Sequence, residues 1–468
     1  MKRKLIYWLT ILTLLFNVNV VSANSKVDKN VELIKTAMNE ILEKYYGENY
    51  KEIDEDVLYQ AAMNGMFSVL DDYSEFYTKE ELKEWLNDAE GNSFGLGVMV
   101  QKHDLGAIIQ SVLSESGAEQ VGIKEGDIIT HVEKKSLAGM KLEEITNLIK
   151  GEEGTVVNIT ISRASQKLDF SVKRTLIKEN PITSCLLSEL TNDKQDDKTI
   201  YLYIDSFNNY TTKYFMEELN KYPIEDDWKI LLDLEGNLGG LLEEALSVSS
   251  FFLDKGDEIV SLKDKAGNTV TYESKSSSNF NGGVVVLTNK YTASASEVVT
   301  AALRENNKAI VVGNNTFGKN CAQQTVTNGD KLNYKITLKE YTTPKGNSLL
   351  KQGFKPDYLF EEPTLIDDVK YKYYGDEESE DILAVKSMLK YLGYKVTDKS
   401  NKYDQATKNL VKEFQKSQNL WPEGILDYTT QRKINEVVYN KYAEDDAAFN
   451  KAVEVLRNFK EESKKLFK

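Results

Sequence analysis

The stretch KYTASASEVV, residues 290–299, follows the apolar run VVVLTN and places Ser294 and Ser296 where a buried strand gives way to a helix. Small hydroxyl residues there can cap the helix. One of them can instead be a nucleophile, because the unpaired amides and positive dipole end of a helix start favour developing negative charge. A serine nucleophile needs a base, and the two histidines, His103 and His131, both lie far upstream. A different base is offered by NTFGKNCAQQ, residues 315–324, which follows the next apolar strand and can reach the same sheet edge. A lysine tucked into a glycine-marked turn, shielded from water, loses preference for its charged form, so a neutral Lys319 amine can accept a hydroxyl proton. Gln323 could hold that amine in line through a neutral hydrogen bond, whereas a carboxylate there would keep the lysine charged. A third stretch, DLEGNLGG at 233–240, sets glycines at a strand-to-helix turn. The N–H groups of Gly240 and Ala295 would together make a two-donor oxyanion hole. Taken singly, each stretch also has a plain structural explanation as a helix cap, a solvated lysine or a tight turn. Cys321 is a rival nucleophile two residues beyond Lys319, but no histidine or asparagine signature lies near it.

The surrounding elements must bring these stretches together. From about residue 199, continuous apolar strands such as TIYLYIDSF, WKILLDLE, GGVVVLTN and AIVVGNN alternate with helical patterns. That alternation implies a mainly parallel sheet covered on both faces, with ligands beyond the carboxyl ends of its strands. Upstream, residues 94–175 read as short glycine-punctuated strands with one helix at 142–150. Residues 25–90 read as helices whose apolar positions (Val31, Ile34, Met38, Ile41, Tyr45) recur on one face. After residue 376 comes a compact helical unit in which Asp404 and Asp427 are expected as N-caps, and the chain ends in a charged amphipathic helix. The expected organisation is α/β multidomain: a helical region at 24–90, a β-rich domain at 91–176, an α/β core at 177–370, a three-helix domain at 376–442 and a last helix at 443–468.

Composition narrows the function. The chain has 468 residues, 41% hydrophobic and 28% charged, and a net charge of −15, which argues against nucleic acid as a partner. Lys2, Arg3 and Lys4 precede an apolar body ending in Val21-Ser22-Ala23, the pattern of a signal peptide over 1–23. Export follows from it, with an uncleaved membrane anchor as the alternative. Cys185 and Cys321 could pair, but two cysteines make no disulfide scaffold, and no ligand spacing for a metal or motif for a cofactor is recognisable.

Several strings resemble known families. FGLGVMV (94–100) and SGAEQVGIKEGDII (116–129) resemble a PDZ domain in the circular order found in bacterial proteases. That resemblance implies that backbone amides of Phe94, Gly95, Leu96 and Gly97 hold a peptide's terminal carboxylate. The ligand would add as a strand between residues 96–100 and the 142–150 helix. LGY (392–394), TKNLVKEFQ (407–415) and GILD (424–427) resemble the small three-helix peptidoglycan-binding domain, implying peptidoglycan as a partner. The three chemistry-bearing stretches, with TPKGNSLLKQGFKPD (343–357) and DDYSEFY (71–77), resemble the C-terminal processing (tail-specific) peptidases over residues 30–360. The resemblance implies a serine endopeptidase with Ser294 as nucleophile, Lys319 as base and Gln323 beside it, acting on proteins or peptides with free C-termini. It also implies control of activity by PDZ position, homodimerisation through the N-terminal helices with C-terminal segments as a further contributor, and scope for an activating partner. Glu235, Leu238 and Asn320 stand where the family carries arginine, proline and glycine, which puts the loop geometry and the oxyanion donor in question. The alternative is an inactive scaffold that keeps only the PDZ and wall-binding modules.

Overall fold

The structure is a computed structural model that describes residues 25–329, 331–360, 365–366, 371–444 and 446–467, so the expected signal segment at 1–23 lies outside the described residues. It divides into two compact units. One takes the chain up to Lys79 together with Thr325–Ile336, and the other takes Glu80–Gln324 with Thr337–Lys468.

In the first unit the Ser25–Lys44 and Glu55–Phe67 helices precede a short strand, Glu75–Tyr77. Asp54 caps the second helix by accepting the Val57 N–H at 2.9 Å. Glu75, Phe76 and Tyr77 pair antiparallel with Lys335, Tyr334 and Asn333, and the rings of Tyr59 and Phe67 pack against Phe76. The first helix leaves Val27, Val31, Ile34, Ile41 and Tyr45 exposed on one side.

The second unit opens with the β-rich domain. Its antiparallel sheet runs Val98–His103, Gly106–Val112, Ile128–Val132, Val156–Arg163, Gln166–Lys173, with Val98–His103 at an edge. Leu96, Ile109, Ile129, Ile159 and Val172 form its core with Ile145 from the Leu142–Ile149 helix. Two strands, Asn92–Gly95 and Thr175–Lys178, pair antiparallel where the chain enters and leaves this domain.

The core sheet then runs in the order Ile182–Leu186, Thr199–Ile204, Lys229–Asp233, Gly283–Thr288, Ala309–Gly313, Tyr358–Leu359. Only the first pairing is antiparallel. Alternate side chains explain the continuous apolar runs. Ile230, Leu232, Val284, Val286 and Val311 face Phe215, Val248, Phe252, Val299 and Leu303 of the Thr211–Leu219, Leu242–Phe252 and Ala295–Glu305 helices. Their neighbours Leu231, Val285, Leu287, Ile310 and Val312 pack against Ala448, Ala452, Val453 and Leu456. Those last four belong to the Ala447–Arg457 helix, so the second face of the sheet is covered by residues almost ninety positions beyond its last strand. Each such fully buried aliphatic side chain is worth roughly 1.5–3 kcal/mol. Arg457 anchors this helix through Asp196 at 2.7 Å and Asp193 at 3.1 Å. The stretch expected as one terminal helix is two, because the chain turns at Asn458 and continues as Phe459–Leu466.

Between the last strand and this covering helix lie Glu380–Tyr391, Gln405–Ser417 and Tyr428–Glu444, packed around Ile382, Val385, Met388, Phe414 and Ile434. The expected caps are present: Asp404 accepts the Thr407 N–H and Asp427 the Thr430 N–H, each at 2.8 Å. The three-helix module is thus inserted in sequence into the core, not appended to it. Outside the sequence expectation stands an antiparallel pairing of Glu258–Asp264 with Thr269–Glu273 on one side and with the Leu332–Thr342 strand on the other. Among the described residues no helix is long and apolar enough to cross a membrane, no cluster of side chains could hold a metal, and Cys185 and Cys321 form no disulfide.

Candidate active site

The loops leaving three neighbouring parallel strands meet at one sheet edge. Ser294 is the N-cap of the Ala295–Glu305 helix and has φ 55, ψ −115, a conformation that costs a non-glycine residue about 1–3 kcal/mol and persists only when its surroundings over-determine it. Its neighbour two residues on has its hydroxyl committed elsewhere. The Ser296 hydroxyl is fully buried and donates to the Asn237 carbonyl at 3.1 Å. Ser294, by contrast, is half-buried.

The 233–240 loop is stitched to this helix start. The Asn237 carbonyl also accepts the Ala293 N–H at 2.9 Å, the Thr292 hydroxyl donates to the Leu234 carbonyl at 2.8 Å, and the Asn237 side-chain amide reaches the Ile204 carbonyl at 2.8 Å. Gly239 (φ 103) must be glycine: a Cβ there would sit 2.8 Å from the Ser294 Cβ and 2.9 Å from the Ala295 nitrogen. Among the described residues neither the Gly240 nor the Ala295 N–H donates a hydrogen bond, so both amides proposed for an oxyanion are uncommitted. Leu238, where the family carries proline, is exposed.

The lysine loop lies in the 315–324 stretch. Gly318 (φ 90) has no room for a Cβ against the Leu349 carbonyl, its own carbonyl accepts the Lys351 N–H at 2.9 Å, and Thr316 exchanges backbone and side-chain bonds with Phe354. Phe317 donates its N–H to the Thr292 carbonyl at 2.9 Å, which brings this loop against the residues just before Ser294. The 343–357 stretch therefore braces the backbone at Thr316 and Gly318, just before Lys319. Gln323 lies on the Cys321–Asn328 strand, and its amide nitrogen donates to the Cys321 sulfur at 2.9 Å, the Cys321 carbonyl at 3.2 Å and the Thr337 hydroxyl at 3.3 Å.

Two residues central to this geometry were not singled out from the sequence. The Glu297 side chain, fully buried, accepts four hydrogen bonds. One oxygen takes the Thr316 hydroxyl at 2.5 Å and the Gly318 N–H at 2.7 Å; the other takes the N–H of Ser294 and the N–H of Lys319, each at 2.9 Å. Burial pushes its carboxyl above the ordinary range, against these bonds, which pull it down. The Tyr341 hydroxyl reaches both the carbonyl of Ser294, at 3.2 Å, and the carbonyl of Lys319, so its single proton is shared between the two. For Glu297 a signal existed, since Ser-x-x-Glu is capping-box spacing. Nothing in the local pattern marks Tyr341.

In the β-rich domain, Phe94 and Gly95 belong to the Asn92–Gly95 strand and pair with Leu176 and Thr175, leaving Leu96 and Gly97 as the connection to the edge strand. The carbonyls of Phe94, Leu96 and Gly97 are spent on the N–H groups of Gly151, Ala118 and Leu113. A Cβ at Gly97 (φ 77) would meet the Ser116 Cβ at 2.2 Å. His131 sits mid-sheet in this domain, on Ile128–Val132, its ring nitrogen 3.0 Å from the Thr130 hydroxyl.

Comparison with known proteins agrees with this architecture. Residues 198–360 match Peptidase family S41, residues 95–173 match a PDZ domain and residues 378–434 match a peptidoglycan binding domain. A protein of Staphylococcus aureus (strain N315) described as a CtpA-like serine protease is 32% identical over 459 residues, covering 96% of this chain and 90% of its own. A protein of Staphylococcus saprophyticus with the same description is 33% identical over 87% of this chain and 83% of its own. Among solved structures, the photosystem II D1 C-terminal processing protease aligns with 70% of this chain and 92% of its own at 24% identity, with a TM-score of 0.41. The chain belongs to peptidase family S41 as a CtpA-like serine protease that carries a PDZ domain and a peptidoglycan-binding domain.

Proposed function

We propose that the protein is an exported endopeptidase that cleaves protein substrates near their C-termini with a Ser294–Lys319 dyad. The observation that carries this reading is the single Glu297 oxygen that accepts the N–H of Ser294 and the N–H of Lys319 at equal distance, which makes the two main chains immediate neighbours. In the proposed cycle Ser294 Oγ attacks the scissile carbonyl while the uncharged Lys319 amine takes its proton. The new C–O bond pushes the carbonyl electrons onto an oxyanion, which the Gly240 and Ala295 amides receive. Collapse expels the amine of the leaving peptide, to which Lys319 returns the proton. Water, with its proton passed to Lys319, then attacks the acyl carbon, the ester bond to Ser294 breaks, and Lys319 returns the proton to Ser294 Oγ. Gln323 would steady the lysine amine during these transfers.

The substrate's terminal carboxylate would be held by the amides of residues 94–97, with the tail added as a strand beside the exposed edge of Val98–His103. Movement of the PDZ domain would then gate cleavage. Export would follow from the 1–23 signal pattern, wall association from the peptidoglycan-binding module, and homodimerisation from the exposed apolar side of the Ser25–Lys44 helix.

Incubation with an unfolded polypeptide tests the reading. The wild-type protein should cleave it, Ser294→Ala and Lys319→Ala should not, and blocking the substrate's C-terminus as an amide should raise KM about 10-fold through loss of charge-assisted hydrogen bonds. Undiminished cleavage by Lys319→Ala would defeat the dyad, and equal KM for free and amidated tails would defeat tail recognition.

A further inference from the structure

We propose that Glu297 and Tyr341 are positioning residues that lock the Ser294 hydroxyl and the Lys319 amine in reacting register by bracketing the main chains of both, a role that rests on the dyad reading above. Each of the two reacting residues is held twice. Its N–H donates to one Glu297 oxygen, and its C=O shares the single Tyr341 hydroxyl proton with the C=O of the other. A residue fixed at both its own N–H and its own C=O cannot swing its Cα–Cβ bond independently. The freedom left is rotation of the side chain itself. For Ser294 this matters doubly, because its positive φ must be enforced from outside.

The two clamping groups suit that task chemically. Carboxylate oxygens offer about four lone-pair sites, and all four on Glu297 are filled by donors from Ser294, Thr316, Gly318 and Lys319. That set leaves no room for an added proton or for a donor, so the clamp works as a carboxylate. An amide in its place would turn an NH2 toward incoming N–H or O–H groups. Tyr341 is 5% exposed, and its own N–H is fixed to the Asn320 carbonyl at 2.7 Å. The hydroxyl is thereby pinned by the same loop whose lysine it holds. Neither residue is placed on the path proposed for the substrate tail. Loss of the clamp therefore spreads the Ser294–Lys319 geometry without weakening substrate binding.

The experiment compares the full chain with Tyr341→Phe, Glu297→Gln and Lys319→Ala on an unfolded polypeptide, with rates normalised to folded protein and kcat followed from pH 6 to 10. Tyr341→Phe removes one oxygen and keeps the buried ring, so it serves even if Glu297→Gln does not fold. We expect Tyr341→Phe to lower kcat about 10-fold and Glu297→Gln about 100-fold, the scale of a misplacement near 1 Å. KM should stay within about twofold, and the acid limb of kcat should move to higher pH as the lysine gains access to water. Wild-type kcat with an unmoved limb in Tyr341→Phe, beside an inactive Lys319→Ala, would overturn the clamp and leave the dyad standing. Full activity of Lys319→Ala would overturn the dyad and the clamp with it.

Discussion

The Tyr201 hydroxyl donates a 2.6 Å hydrogen bond to the Asp233 carboxyl, which lies almost wholly buried where the Lys229–Asp233 strand enters the loop leading to Gly239 and Gly240. The other Asp233 oxygen accepts the Glu235 N–H at 2.9 Å. Burial, the dominant effect, pushes this carboxyl up to about 6 from its ordinary 3.8, and the nearby Asp446 charge adds to the rise. Folded protein therefore keeps a proton that unfolded protein has lost between these two values. The stabilisation is complete below the lower one and disappears as pH rises through the upper one, by up to roughly 3 kcal/mol. Asparagine can accept from Glu235 and donate to the Tyr201 oxygen, so Asp233→Asn should remove this dependence. Thermal unfolding from pH 4 to 7.5 should show wild type losing stability relative to Asp233→Asn as pH rises, whereas parallel curves would refute the buried acid.

The two serines of the TASAS segment should separate cleanly. Ser294→Ala should abolish hydrolysis with little change in stability. Ser296→Ala, which strips the Asn237 carbonyl of a buried donor, should cost about 1 kcal/mol of stability and retain hydrolysis. Thermal melts and peptide release on the two variants check this, and an active Ser294→Ala would reverse the assignment.

Gly239→Ala should damage the site without removing any reacting atom. The new methyl would have to displace the Ser294 Cβ or the Ala295 amide, and kcat should fall about 100-fold. An alanine at nearby Gly236, whose Cβ would meet nothing within 4 Å, should leave the chemistry unaffected apart from the strain of its positive φ.

The terminal helices should behave as core. Leu456→Ala, beneath the second face of the sheet, should cost about 2–5 kcal/mol. A chain ending at Glu444, after the three-helix module, should expose Leu231, Val285 and Ile310 and bind a hydrophobic dye. A truncated chain as stable and as active as the full one would contradict the inserted-module topology.

Particular residues show why some of this was readable from the sequence and some was not. Val284–Leu287 and Ile310–Val312 are apolar at every position because both faces of a parallel sheet are buried, and that signature needs no partner to be recognised. What covers the second face does need one: Ala448, Ala452 and Leu456 read only as an amphipathic helix, and their sheet lies across an intervening module. The antiparallel strands Glu258–Asp264 and Thr269–Glu273 are half polar and join a strand far along the chain, so pairing, not local pattern, defines them. Ser294, Lys319 and Gln323 carry recognisable chemistry in their side chains. Tyr341 acts through a hydroxyl aimed at two carbonyls, a relationship that exists only after the Leu332–Thr342 strand has docked.

Active-site phosphonylation provides the most direct measurement. Wild type and Lys319→Ala would be treated with a fluorophosphonate during turnover of an unfolded polypeptide, and the modified residue identified by peptide mass spectrometry. The Ser294–Lys319 account predicts a single adduct on Ser294, formed at least about 100-fold more slowly in Lys319→Ala. Labelling of Ser294 at the wild-type rate without the lysine, or wild-type hydrolysis with the adduct on Cys321 instead, would contradict it.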